Sequence, residues 1–194
     1  MPKIIDHDER RREIVEVAKR IILKGGFEAA TMRSIAAEAG FANGALKHYF
    51  PGKDSIVAAT FESVLEEMAA NVELSGSTDA GERLEHFLRA PLAHDEEDIV
   101  AGRVLLALWE YAMANDDLGA LYRSFLDSWR VSIAEHLTAA RAAGAISAEP
   151  PYGVLADEYM SVVVGATVVN LMYPDGSRFP NYDAYLDSFL ARLV

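Results

Sequence analysis

The sequence predicts an all-α fold, and three observations predict it. Apolar residues recur at three- and four-residue intervals along almost the whole chain. The segments marked in this way stop at glycine or proline. No stretch sustains the strict alternation of a half-buried strand. About nine helices are expected, as a short N-terminal set of three followed by a larger bundle.

The elements follow in order. Asp6 and Glu9 have the spacing of a capping box, and Ile14, Val15, Ala18, Ile21 and Ile22 continue at helical period to Gly25-Gly26. Thr31 suits the N-cap of a short second helix with Ile35, Ala36 and Ala39 inward, stopped by Gly40. Ala45 to Tyr49 make a third, broken by Pro51-Gly52. A long helix starts near Asp54, with Ile56, Val57, Thr60, Phe61, Val64, Leu65, Met68 and Val72 as its stripe, and ends before the SGSTDAG linker. Leu84, Phe87, Leu88 and Leu92 mark a fifth helix, with the acidic HDEEDI stretch as the connection after it. Leu105, Leu108, Trp109, Ala112 and Met113 mark a sixth. Leu118, Leu121, Tyr122, Phe125, Trp129, Ile133 and Leu137 share one face of a seventh that runs to Gly144. Pro150-Pro151 forces a break. Leu155 to Tyr173 and Tyr182 to Leu193 are the last two helices.

With 194 residues, 51% of them apolar, the chain is long enough to bury a core. It has no cysteine, which excludes disulfides, a thiolate nucleophile and Cys-ligated metal. The longest apolar run, Met160 to Met172, contains Ser161, Thr167 and Asn170 and is shorter than the roughly 20 residues of a spanning helix. No apolar h-region opens the chain, so a cytoplasmic protein with no membrane partner is expected.

The net charge of −12 argues against nucleic acid until it is divided along the chain. Residues 1–53 carry ten Lys/Arg against seven Asp/Glu, or +3, while residues 54–194 carry eight against 23, or −15. All five lysines lie in the first part. A small basic module joined to a larger acidic one fits this partition, as does chance clustering of solvated charge. Two short helices joined by Ala39-Gly40-Phe41-Ala42 form a helix-turn-helix, in which one helix braces against a DNA backbone and the other enters the major groove. Ile35, Ala36, Phe41, Leu46 and Phe50 supply its core, leaving Arg33, Asn43, Lys47, His48, Tyr49 and Lys53 as outward donors.

The string TMRSIAAEAGFANGALKHYFPGKDSI, after the Gly25-Gly26-Phe27 turn, resembles the N-terminal DNA-binding domain of the TetR family of bacterial transcriptional regulators. HYF-x-x-K is its most specific part. The second half carries a weaker resemblance, in residues 106–146 through Trp109, Asp116-Asp117-Leu118 and Trp129, to the choline-responsive betaine repressor subgroup. The resemblance implies a DNA-binding domain at residues 1–53 and an effector-binding and dimerisation domain at 54–194. It implies DNA contacts at Asn43, Gly44, Ala45, Lys47 and His48, and phosphate contacts at Thr31, Arg33, Tyr49 and Lys53. Ala42 stands where the family commonly has Ser or Thr, so the recognition helix lacks its usual cap, and Asn43 is the substitute at hand.

The implied partners are operator DNA, a small-molecule effector and a second copy of the chain, with no cofactor. Candidate effector contacts are Phe61, Met68, Phe87, Trp109, Glu110, Met113, Tyr122, Phe125 and Trp129, an aromatic and methionine set that also serves as ordinary core. Tyr111 and Asp127 are further polar candidates, and Trp109 with Trp129 would suit a cation. The last two helices resemble the family's dimer-forming pair, with Tyr159, Val162, Val163, Ala166, Val169, Asn170, Tyr173 and Phe189 as interface candidates against the alternative of an ordinary buried helix. An enzyme finds no support: there is no phosphate loop, no nucleophile elbow and no H-E-x-x-H, and the five histidines lack ligand spacing. His94 in its acidic stretch is a weak cation candidate. A regulator of the same fold that answers to a protein partner, or to no ligand, is the other reading.

Overall fold

The structure is a computed structural model. Its described residues are 7–42, 44–73, 77–92, 96–173 and 182–194, with the side chains of 68–73, 96–98, 100, 182 and 183 outside the description. Among these residues there are eight α-helices, two 3-10 turns and no strand: α1 His7–Gly25, a 3-10 turn Phe27–Ala29, α2 Met32–Glu38, a 3-10 turn Leu46–His48, α3 Lys53–Glu73, α4 Ala80–Arg89, α5 Glu96–Ala114, α6 Asp116–Ala142, α7 Gly153–Leu171 and α8 Tyr182–Ala191.

Most boundaries follow local chemistry. The Thr31 hydroxyl oxygen accepts from the Ser34 amide at 3.0 Å, and the Thr31 amide donates back to the Ser34 hydroxyl at 2.9 Å, closing a capping box on α2. Asp79 accepts from the amides of Gly81 and Glu82, both at 2.9 Å, and starts α4. Asn115 accepts from the Leu118 amide at 3.1 Å and starts α6. Gly40, at φ 72°, turns the chain out of α2, and Gly144, at φ 75°, does the same for α6.

Three expectations need correction. The third helix is a single 3-10 turn: Gly44 and the Pro51-Gly52 pair leave few residues between breakers, and no side chain caps Ala45 at its start. The acidic stretch is not all connection, because α5 already begins at Glu96. The run judged too short for a membrane lies in a 19-residue helix, Gly153–Leu171, that is long and apolar enough to cross one by length and composition. Ala156, Tyr159, Met160, Val163, Ala166 and Asn170 of that helix are buried in the protein's own core. Asp6, His94 and Asp95 lie outside the described residues.

The chain divides into two compact units, Met1–Glu66 with Arg103–Leu118, and Glu67–Gly102 with Gly119–Val194. In the first, Ile14, Val15, Ala18, Ile21 and Ile22 of α1 pack with Ile35, Ala36, Leu46, Phe50 and Ile56, and Ala107 of α5 joins the same cluster. This small core sets the angle at which the second half of the helix-turn-helix leaves the first. In the second, Leu84, Phe87 and Leu88 of α4 meet Ile133 and Leu137 of α6, Tyr159 and Val163 of α7, and Leu186 and Phe189 of α8.

Candidate functional site

The first unit carries Thr31, Arg33, Gly44, Ala45, Lys47, His48, Tyr49 and Lys53. Leu46 and Phe50 are fully buried and pin the 3-10 turn to α1 and α2. With those two inward, Gly44, Lys47 and His48 stand exposed, and Ala45 is half-buried. Arg33 and Thr31 are exposed at the start of α2. Asn43, the substitute cap, lies outside the described residues.

Tyr49 is half-buried and held on three sides. The His7 ring is 4.7 Å from it, the Phe41 ring meets it edge-on at 5.5 Å, and Arg11 donates a hydrogen bond to its backbone carbonyl. The Arg11 guanidinium also lies over the Phe50 ring at 4.1 Å. A phenol fixed in this way offers its hydroxyl at a set position, as phosphate recognition requires. Sequence reasoning counted Arg11 only as charge and His7 only among the histidines without ligand spacing, although their place one to two turns before Ile14 on the same helix was the available signal.

Lys53 opens α3 and is also held. Its ammonium lies 4.1 Å from the centre of the Phe27 ring, 5.8 Å from that of Tyr111 and 4.0 Å from a Glu28 carboxylate oxygen. The Phe27 and Tyr111 rings stack at 3.9 Å, and the Tyr111 hydroxyl donates to Asp54 at 2.6 Å. That hydrogen bond, with burial and the Asp54 charge, raises the Tyr111 pKa, so the hydroxyl keeps its proton. Tyr111, weighed in the sequence as a ligand-orienting residue, is therefore engaged within the first unit.

The effector candidates separate. Phe61 is buried and Trp109 half-buried in the first unit, where Glu110 is exposed and Met113 is 83% exposed. Phe87 is buried in the second core, stacked on His136 at 4.1 Å. The Met68 side chain lies outside the described residues. Tyr122, Phe125 and Trp129 form a half-buried row along α6, with ring spacings of 6.4 and 6.0 Å. The row continues edge-on from Trp129 to Tyr159 at 5.8 Å and, with tilted rings, from Tyr159 to Phe189 at 5.6 Å. Burial pushes the Tyr122 hydroxyl up to about 12. Asp127 faces away, paired with Arg130 at 2.9 Å beside an open groove of about 650 Å³ that includes Arg123, Ser124, Ser128 and Val131.

Of the dimer candidates, Tyr159, Val163, Ala166, Asn170 and Phe189 are buried within the protomer, while Val162 is half-buried and Val169 and Tyr173 are exposed. Val154, Met172 and Tyr185 extend the exposed apolar surface of α7 and α8. Val154, Met172 and Tyr185 were not among the candidates, because apolar period alone does not separate the two sides of a helix that is apolar all round.

The family model for bacterial regulatory proteins of the tetR family matches residues 14–60, and the model for the BetI-type transcriptional repressor C-terminal region matches residues 80–194. The HTH-type transcriptional regulator BetI of Brucella suis is 32% identical over 178 residues, covering 87% of each chain. The HTH-type transcriptional regulator PksA of Bacillus subtilis is 36% identical over 120 residues, 61% of this chain and 58% of that one. A transcriptional regulator from Saccharomonospora viridis, solved in complex with choline, superposes with a TM-score of 0.83 at 24% identity, covering 95% of this chain and 96% of that one. These relatives are regulators, not enzymes. The chain belongs to the TetR family of bacterial transcriptional regulators, with a C-terminal region of the BetI type.

Proposed function

We propose that the chain is a dimeric repressor that binds a palindromic operator and is released from it by a small-molecule effector. Residues 1–53 carry the DNA contacts, and residues 54–194 take the effector and form the dimer, in the cytoplasm. The observation that carries this reading is the exposed Gly44, Lys47 and His48 surface held rigid by the buried Leu46 and Phe50. Base edges fall to Gly44, Ala45, Lys47 and His48, and backbone phosphates to Thr31, Arg33, Tyr49 and Lys53. Two copies joined through the outer faces of α7 and α8 place two such surfaces on one duplex, matching the two-fold symmetry of a palindrome.

The aromatic row of Tyr122, Phe125 and Trp129 is the proposed effector contact, and its ring faces suit a cation. Choline in the Saccharomonospora viridis regulator makes a quaternary ammonium compound the first effector to try.

The test is selection of sheared genomic DNA by the purified protein at low salt, with and without choline, followed by sequencing of the bound fragments. A few enriched palindromic sites, lost when an effector is added, are expected. No enrichment by folded, dimeric protein overturns the reading. Linkage requires operator DNA to weaken effector binding by the factor by which effector weakens DNA binding. Equal effector affinity with and without operator would refute release by ligand.

A further inference from the structure

We propose that Tyr111 is a positioning residue for DNA binding: with Phe27 it clamps the Lys53 ammonium so that this charge is presented to a backbone phosphate at one fixed place. The inference rests on the reading of Lys53 as a phosphate ligand and adds to it a residue of α5, far along the chain.

The clamp answers a difficulty at Lys53. A cation at a helix N-terminus sits at the positive end of the macrodipole, and Lys53 is the first residue of α3. Glu28 offers little compensation, because its side chain is 93% exposed and the separation is 4.0 Å. The two aromatic faces supply what the carboxylate does not: Phe27 lies 4.1 Å from the ammonium, and Tyr111 lies stacked against Phe27 with its own centre 5.8 Å away. A lysine stem is flexible and loses that freedom on binding a phosphate. Held beforehand against this stacked pair, Lys53 loses less of it on binding.

The Tyr111 hydroxyl completes the arrangement. It donates to Asp54, the neighbour of Lys53, at 2.6 Å. One bond therefore fixes the ring to the helix turn whose lysine it holds, and engages one carboxylate oxygen of Asp54.

The test is binding of the full chain to a mixed-sequence duplex of about 30 base pairs, across about 50 to 200 mM salt, where phosphate contacts dominate affinity. The variants are Lys53→Gln, Tyr111→Leu, Tyr111→Phe and the Lys53→Gln/Tyr111→Leu double. Lys53→Gln should lower the slope of log K against log salt by about one per protomer. Tyr111→Leu should weaken binding about threefold, the order of a surface cation–π contact, and should have no effect once Lys53 is gone. Tyr111→Phe, which keeps the ring but loses the bond to Asp54, should fall between wild type and Tyr111→Leu. An unchanged slope for Lys53→Gln removes Lys53 as a phosphate ligand and takes this proposal with it. A normal Lys53→Gln effect with equal Tyr111→Leu losses in both backgrounds overturns the clamp alone and leaves the functional reading standing. Should Tyr111→Leu fail to fold, Phe27→Leu probes the other ring by the same cycle, and a loss that persists without Lys53 overturns the proposal.

Discussion

The buried Tyr159 hydroxyl on α7 donates a hydrogen bond of 2.8 Å to the backbone carbonyl of Leu88, in the last turn of α4 and 71 residues earlier. Burial raises the pKa of this phenol, so it stays a donor across the accessible pH range. Leu88 itself is fully buried, so its carbonyl has this hydroxyl in place of water. Tyr159→Phe should then cost about 1 to 3 kcal/mol, because the carbonyl is left unsatisfied. Tyr159→Ala should cost about 3 to 5 kcal/mol, because a ring-sized cavity is added. Urea denaturation checks both, and a Tyr159→Phe midpoint equal to wild type would remove the bond from the account.

The reciprocal bonds of Thr31 and Ser34 make a second prediction. Either residue changed to Ala should cost about 1 kcal/mol. The double variant should cost less than the sum, because each side chain serves the other's amide. Ser34 also donates to the Ala29 carbonyl at 2.7 Å, which ties the cap to the preceding 3-10 turn. Ser34→Ala should therefore be the costlier single change by chemical denaturation.

His136 predicts a pH dependence. Burial, and secondarily the Arg83 charge, hold its pKa below the ordinary value against a weaker pull from Glu135. Its ring stacks on Phe87 at 4.1 Å, where the neutral form packs. The unfolded chain therefore takes up the proton first, below about pH 6.5. The stability that neutral His136 contributes is complete above that pH and falls as pH drops toward the lower folded value. Thermal melts of wild type between pH 7.5 and 5.5 (about the span that brackets an ordinary histidine) should show a decline that His136→Gln flattens.

The exposed apolar side of α7 separates assembly from folding. Val169 and Met172 are 40% and 67% exposed in the protomer, whereas Val163 is 3% exposed. Met172→Glu or Val169→Glu should give a folded monomer by sedimentation, with unchanged helical circular dichroism. Val163→Glu should instead unfold the second unit, because it buries a charge. A stable dimer in both exposed-face variants would place the interface elsewhere.

The parts of the fold that were legible in the sequence are those set within one turn of helix. Thr31, Gly40, Leu46 and Phe50 declare a cap, a turn and a core face through near neighbours. The bond of Tyr111 to Asp54 was not legible, because the two lie 57 residues apart and nothing in the Tyr111 helix marks its partner. Tyr159 and Val163 of α7 and Phe189 of α8 stand among the interface candidates because these two helices resemble the family's dimer-forming pair, and α7 is apolar on every side. Only packing against Leu88 and Leu137 shows which side turns inward. The recognition element was expected as a helix from its residue types, and the breakers on either side reduced it to one turn.

The division of the chain bears on building hybrid regulators. A linear splice that replaces everything after the linker near residue 77 would discard Ala107 and Tyr111 while keeping Phe27, Asp54 and the buried cluster that meet them. Residues 103–118 belong with the N-terminal unit although they come much later in sequence. A working graft must carry that stretch along as an inserted cassette, and a library that tests the proposed effector contact varies Tyr122, Phe125 and Trp129.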